Sequence, residues 1–292
     1  MVTTKRERLE LPDGDFLDLD WAAENASERL VLLTHGLEGS SRNTYIQGMA
    51  RACLREGWDV LAWNFRGCSG EPNRLLVSYH SGATWDLEAV LKHALATGRY
   101  RRVDLIGFSL GGNMTLKFLG DKGEGVDPRV GCAVTFSVPC HLSSSSQQLG
   151  NWKNRIYMSR FLRSLRAKIR DKIRRFPGQV EDLGLEQMRT FGEFDEAYTA
   201  PIHGFRSAED YWEKASSIYV LGRIAIPTLM VNARNDPFLA PPCFPGHEVR
   251  ENAHFHLDTP LNGGHLGFSA DGDSVLCGAE VRALRFLLEH SD

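Results

Sequence analysis

The run Gly107-Phe108-Ser109-Leu110-Gly111 constrains the fold more than any other feature of the chain. It follows the apolar segment Val103-Asp104-Leu105-Ile106 and leads into Met114-Thr115-Leu116-Lys117-Phe118-Leu119, which reads as a helix. A G-x-S-x-G sequence between a strand and a helix is a nucleophile elbow. Its glycines allow a turn tight enough to lift Ser109 Oγ above the sheet at a helix N-terminus, where oriented N–H groups favour developing negative charge. In an ordinary Gly-rich turn the same serine would carry no chemistry; the strand before it and the helix after it favour the nucleophile.

Other short apolar runs end in turns of the same kind: Leu30 to Leu33, Val60 to Trp63, Cys132 to Phe136 and Pro227 to Val231. Such runs suit strands buried on both faces of a parallel sheet. Between them lie helical patterns. One carries Tyr45, Met49, Ala52 and Cys53 and stops at Gly57; another carries Trp85, Leu87, Val90, Leu91, Ala94 and Leu95 and stops at Gly98. The alternation predicts an α/β fold with a mostly parallel, doubly wound sheet. Ahead of it, Leu9 and Leu11 precede Pro12-Asp13-Gly14-Asp15 and Phe16 to Trp21, the pattern of an N-terminal β-hairpin. After Phe136 the alternation stops. Met158, Leu162, Leu165, Ile169, Ile173 and Phe176 recur at helical spacing up to Pro177-Gly178, and weaker helical patterns run on to Trp212. The expected organisation is a core of residues 1–139 and 218–292, with a helical lid of residues 140–217 inserted in it.

The formal charge of −3 conceals a segregation. Residues 151–175 hold ten basic side chains against Asp171 alone, a net +9; the remaining 24 basic and 36 acidic residues leave the rest at −12. That balance, with no recognised nucleic-acid module, argues against a nucleic-acid partner. With 42% apolar residues the chain can bury a large core, yet no stretch is long and apolar enough for a membrane span. The first ten residues are charged and contain no apolar signal core. Six cysteines are scattered singly, which suggests neither a disulfide framework nor a zinc ribbon and fits a cytoplasmic protein.

A serine nucleophile needs a base, and the base an orienting carboxylate. On a sheet of this kind the carboxylate follows a later strand and the histidine lies near the C-terminus. Asp236, in Asn232-Ala233-Arg234-Asn235-Asp236-Pro237 after the last long apolar run, takes the first position; otherwise it is a turn residue. His265, in Asn262-Gly263-Gly264-His265-Leu266-Gly267, takes the second. Two backbone donors are needed for an oxyanion hole: the N–H of Leu110, after the nucleophile, and that of Leu37 in Thr34-His35-Gly36-Leu37-Glu38-Gly39. His254 and His256 would share a strand face, but no further ligand completes a metal site, and no metal or cofactor is expected.

Those motifs, together with Asn64-Phe65-Arg66-Gly67-Cys68-Ser69-Gly70, Tyr79-His80-Ser81-Gly82, Phe194-Asp195, Tyr198-Thr199-Ala200-Pro201, Asp210-Tyr211-Trp212 and Asp236-Pro237-Phe238, resemble the YheT-like branch of the α/β-hydrolases. The mammalian α/β-hydrolase-domain proteins one to three are similar. The resemblance spans about residues 29 to 290. It implies an α/β-hydrolase fold and a serine carboxylic-ester hydrolase, with Ser109 as nucleophile, Asp236 as acid and His265 as base, acting on small-molecule or lipid esters. The N-terminal membrane anchor of the mammalian relatives does not carry over. A thioesterase or C–C hydrolase would use the same three residues, and a non-catalytic ligand-binding homologue would be expected to lack one of them.

The inserted segment leaves the sheet near the edge that bears Ser109, so Met158, Phe161, Leu162 and Leu165 are candidates to line an acyl pocket, the alternative being that they pack the lid onto the core. Arg66 to Ser69 should reach the same edge, with Cys68 more consistent with packing. The basic face of the lid helix is expected either to be solvated or to meet anionic lipid as a peripheral contact.

Overall fold

The computed structural model describes residues 2–23, 27–268 and 276–291. Its centre is an eight-stranded sheet built from β1 (Lys5–Glu10), β2 (Phe16–Ala22), β3 (Arg29–Thr34), β4 (Asp59–Trp63), β5 (Arg102–Phe108), β6 (Val130–Phe136), β7 (Thr228–Val231) and β8 (Phe255–Asp258), in the order β1-β2-β4-β3-β5-β6-β7-β8. β1 and β2 form the N-terminal hairpin and β2 runs antiparallel to β4; every other pairing is parallel. The exposed edge strand β1 reads Lys5-Arg6-Glu7-Arg8, and such charge discourages pairing with another chain.

Successive strand residues point to opposite faces, and the apolar runs fill both. Leu30, Leu32, Val103 and Leu105 pack with Leu87, Val90 and Leu91 of α2 (Thr84–Ala96) and with Met114 and Leu116 of α3 (Leu110–Lys122). Val31, Leu33, Ile106 and Val134 face the other way. They meet Ile46 and Met49 of α1 (Thr44–Arg55) and Ala283 and Leu287 of α9 (Gly278–Glu289). Trp85 is a correction to the expected stripe: on the first turn of α2 it lies 50% exposed, its ring edge against His80 instead of in the core.

Among the described residues no strand interrupts the stretch between β6 and β7. It contains α4 (Leu142–Leu149), the long α5 (Arg155–Arg175), and three short helices, α6 (Phe191–Phe194), α7 (Ala200–Ile202) and α8 (Ala208–Ala215), with a π-helical turn at Asp195–Thr199. Leu149, Met158, Leu162, Ile169, Leu185, Met188 and Tyr198 give this segment a small core of its own, which also takes in Phe238 from the loop after β7. Asn232 ties its base to the sheet: its side chain accepts from Val138 N–H (2.7 Å) and donates to the carbonyls of Val138 and Cys243.

The ten cations of this region do not share one solvated face. Lys168 turns inward to Glu38, Lys172 is 4% exposed and donates to Asn73 Oδ1 at 2.7 Å, and Arg166 donates to the carbonyls of Leu185 and Met188. Buried carbonyl and carboxylate acceptors beneath α5 draw these long side chains under the helix. No helix among the described residues is long and apolar enough to cross a membrane.

Candidate active site

Ser109 occupies the turn between β5 and α3 at φ 53° and ψ −119°, a strained conformation for a side chain of this hand. The turn is held by Ser109 N–H donating to Phe136 O (2.8 Å) and Asn113 N–H donating to Ser109 O (3.0 Å). Gly111 is required by crowding, since a Cβ there would stand 2.6 Å from the Thr34 carbonyl oxygen. The loop after β3 thus lies directly against the start of α3.

Asp236 and His265 arrive from the loops that follow β7 and β8. Asp236 follows β7, is 4% exposed, and accepts from Phe238 N–H through Oδ1 at 2.9 Å. Its Oδ2 lies 2.9 Å from His265 Nδ1, and His265 Nε2 lies 3.1 Å from Ser109 Oγ. The His265 loop is fixed by Gly264 N–H donating to Asn235 Oδ1 (2.9 Å) and Leu266 N–H donating to Ser137 Oγ (3.3 Å). The Phe238 ring covers the imidazole at 4.2 Å between centroids. Residues 109, 236 and 265, predicted to converge, are brought into one hydrogen-bonded line.

The loop carrying Leu37 is equally built. His35 donates from Nδ1 to Gly36 O (2.8 Å) and accepts from Phe65 N–H at Nε2 (3.1 Å); burial pushes it down to about 4, so it serves as a neutral pin. Tyr45 OH accepts from Gly36 N–H (3.0 Å). Gly36 is needed because a Cβ there would be 3.1 Å from the Ser109 Cβ. Leu37 and Leu110 both border the cavity above Ser109, and Leu110 N–H opens α3, where no preceding helical carbonyl exists to take it.

Sequence reasoning missed Glu38. Its backbone sits at φ 53°, and its buried carboxylate accepts from Tyr79 OH (2.6 Å), Lys168 Nζ (2.6 Å) and Ser164 Oγ (2.5 Å). Burial alone would raise this carboxyl; the Lys168 charge and the three donors outweigh it and hold the group below the usual range. Helical spacing marks Ser164 and Lys168 as one face of α5, but nothing in it names their partner.

The cavity encloses about 1050 Å³ of empty space, its open mouth included. Phe161, Leu165, Ile169, Phe191 and Phe238 line its apolar side. Of the four expected lining residues, Phe161 and Leu165 are there. Met158 and Leu162 are not: 3% and 1% exposed, they face the core of the inserted segment, on a different side of the helix from Phe161 and Leu165. Arg66 follows β4 at the expected sheet edge but does not line the cavity. It is buried in a bidentate pair with Asp86 (2.8 and 2.7 Å), with Asp13 at 2.6 Å, and so braces the sheet edge. Cys68 accepts from Lys168 Nζ at 3.0 Å. His254 and His256 complete no metal cluster among the described residues.

Sheet order, elbow and the Ser–His–Asp line define an α/β-hydrolase. The profile of the α/β-hydrolase fold matches residues 29–242. YheT of Escherichia coli (strain K12) is 38% identical over 269 residues, which cover 90% of this chain and 78% of YheT. Mouse phospholipase ABHD3 is 29% identical over 276 residues, covering 91% of this chain and 67% of the relative. Among solved structures, the Pyrococcus furiosus esterase Pf2001 superposes with a TM-score of 0.66 at 16% identity, covering all of this chain and 92% of that one, a likeness of fold. The chain belongs to the α/β-hydrolase fold family, in its YheT-like branch.

Proposed function

We propose that the chain is a serine carboxylic-ester hydrolase working through an acyl-enzyme. The observation that carries the reading is the unbroken line from Asp236 Oδ2 to His265 Nδ1 (2.9 Å) and from His265 Nε2 to Ser109 Oγ (3.1 Å). In this reading Ser109 O–H donates to Nε2 while Nδ1–H donates to Asp236, which holds the imidazole in the tautomer able to take a proton. Oγ attacks the ester carbonyl as its proton passes to Nε2. The oxyanion is met by the N–H groups of Leu37 and Leu110. As the intermediate collapses, Nε2 returns the proton to the departing alcohol; a water then attacks the acyl-enzyme by the same route and frees the acid.

The apolar cavity beside Ser109 supports an acyl chain as the bound group, and lipid esters fit the names of relatives such as the mouse phospholipase. Residues 140–217 act as a lid that supplies Phe161 and Leu165 to that cavity. All six thiols are free, which suits a reducing compartment such as the cytoplasm. The test is hydrolysis of p-nitrophenyl esters of increasing chain length. Wild type should turn them over and Ser109→Ala should lose at least about 10³-fold in kcat; residual activity near wild type would remove Ser109 from the reaction.

A further inference from the structure

The start of α5 presents a surface that the catalytic reading leaves unused. Trp152 is 71% exposed, Ile156 76% and Tyr157 48%, three large apolar side chains within six residues. Scattered single exposures are ordinary, but a cluster of this kind marks a contact surface. The charges around it are equally selective. Of the ten cations in residues 151–175, Arg166 is held by carbonyls, Lys168 by Glu38, Arg170 by Glu186, Lys172 by Asn73, and Arg174 and Arg175 by Asp171. Lys153, Arg155, Arg160 and Arg163 have no acceptor among the described residues. The uncommitted cations are therefore the four nearest Trp152 and Ile156 along the chain. Arg155, Ile156, Ser159, Arg160 and Arg163 line one groove, so Ile156 shares a face with three of these cations.

We infer that this face docks on an anionic phospholipid bilayer. Apolar side chains flanked by arginines match an interface where acyl chains lie just below phosphate head groups. The position argues for a lipid surface: Tyr157 packs on Phe238 at 4.9 Å between ring centroids, and Phe238 in turn covers His265 at 4.2 Å. Phe161 and Leu165, further along the same helix, line the cavity. One helix thus joins the bilayer-facing patch to the proposed acyl site. The inference rests on the ester-hydrolase reading for its purpose, while docking itself is measured separately.

The experiment uses the full chain carrying Ser109→Ala, sedimented with vesicles of phosphatidylcholine alone or mixed equally with phosphatidylglycerol. Binding to the anionic vesicles, weakened by salt, is expected. Trp152→Ser with Ile156→Ser should weaken it at least about 10-fold, and in a chain that keeps Ser109 should leave turnover of a short soluble ester unchanged. Arg155→Gln, Arg160→Gln and Arg163→Gln together should weaken it on the order of 100-fold and abolish the preference for phosphatidylglycerol. Failure to sediment with anionic vesicles at low salt, or wild-type binding by both variants, overturns the inference. So does a dimer in light scattering that the Trp152 and Ile156 changes dissolve, since the patch would then join two copies. Failure of the catalytic reading would appear elsewhere, as ester turnover that survives Ser109→Ala.

Discussion

Lys168 of the inserted helix places its ammonium 2.6 Å from Glu38 Oε1, joining α5 to the residue that follows Leu37. The pair couples the proposed lid to the proposed oxyanion loop. Breaking it should therefore affect turnover as well as stability. Lys168→Met leaves Glu38 with Tyr79 and Ser164 only, and since Lys168 remains 27% exposed the stability loss should be about 2 kcal/mol, below that of a fully buried pair. kcat should fall ~10-fold with little change in KM, less than the loss of an oxyanion donor itself. Because the folded state holds the Glu38 carboxyl below its unfolded value, its contribution is present above about pH 4.3 and is lost as pH falls through the folded value. Wild type and Lys168→Met should converge in acid, which denaturant titrations across pH would read.

Asp195 behaves in the opposite sense. Burial pushes its carboxyl up to about 6, with Thr199 and Trp212 donating to its oxygens at 2.6 and 2.9 Å and only partly offsetting the burial. A folded value above the unfolded one means that the folded chain binds this proton more tightly. Stability from this group is then greatest below about pH 4 and is lost as pH rises to about 6, a change of about 3 kcal/mol. Asparagine can still accept from Trp212 and donate to Thr199 Oγ. The unfolding free energy of Asp195→Asn relative to wild type should rise by that amount between those limits; parallel pH profiles would contradict the expectation.

Two glycines should separate activity from folding. A methyl at Gly36 meets the Ser109 Cβ at 3.1 Å, a contact that side chains can ease by tenths of an ångström. Gly36→Ala should melt within a few degrees of wild type yet lose ~10²-fold in kcat/KM, because a small displacement of the nucleophile is costly. Gly111→Ala meets backbone at 2.6 Å and should lose about 3 kcal/mol or fail to fold. Thermal melts beside ester turnover make the comparison.

Neighbouring residues of α5 offer a further separation. Leu162, 1% exposed in the small core, should cost about 2–5 kcal/mol on change to alanine and leave acyl preference where it was. Phe161→Ala enlarges the cavity and should shift preference toward longer acyl chains with a smaller stability loss. An ester chain-length series with paired denaturation curves distinguishes them.

The parallel sheet was legible because strands buried on both faces must be largely apolar, as Leu30 to Leu33 and Val60 to Trp63 are throughout. The positions of Ser109, Asp236 and His265 were legible because chain order on such a sheet leaves few strand ends to choose from. The face of α5 was not. Its stripe at 158, 162, 165 and 169 announces an apolar side, but the helix lies between its own small core and the cavity, and periodicity cannot divide one from the other. Lys168 and Lys172 were hidden for a related reason: a lysine at helical spacing looks solvated until its acceptors, Glu38 and Asn73, are seen beneath it.

The line through Ser109, His265 and Asp236 draws on the ends of β5, β7 and β8, with the whole inserted segment threaded between the first and second of them. Nothing short of the joined sheet can assemble it. During refolding, fluorescence from the buried Trp63 on β4 can recover once the first half of the sheet forms, whereas turnover has to wait until β8 has docked on β7. The reaction itself therefore reports the joining of all three strand ends, and any lag between the two signals measures how long the chain spends partly folded and inactive.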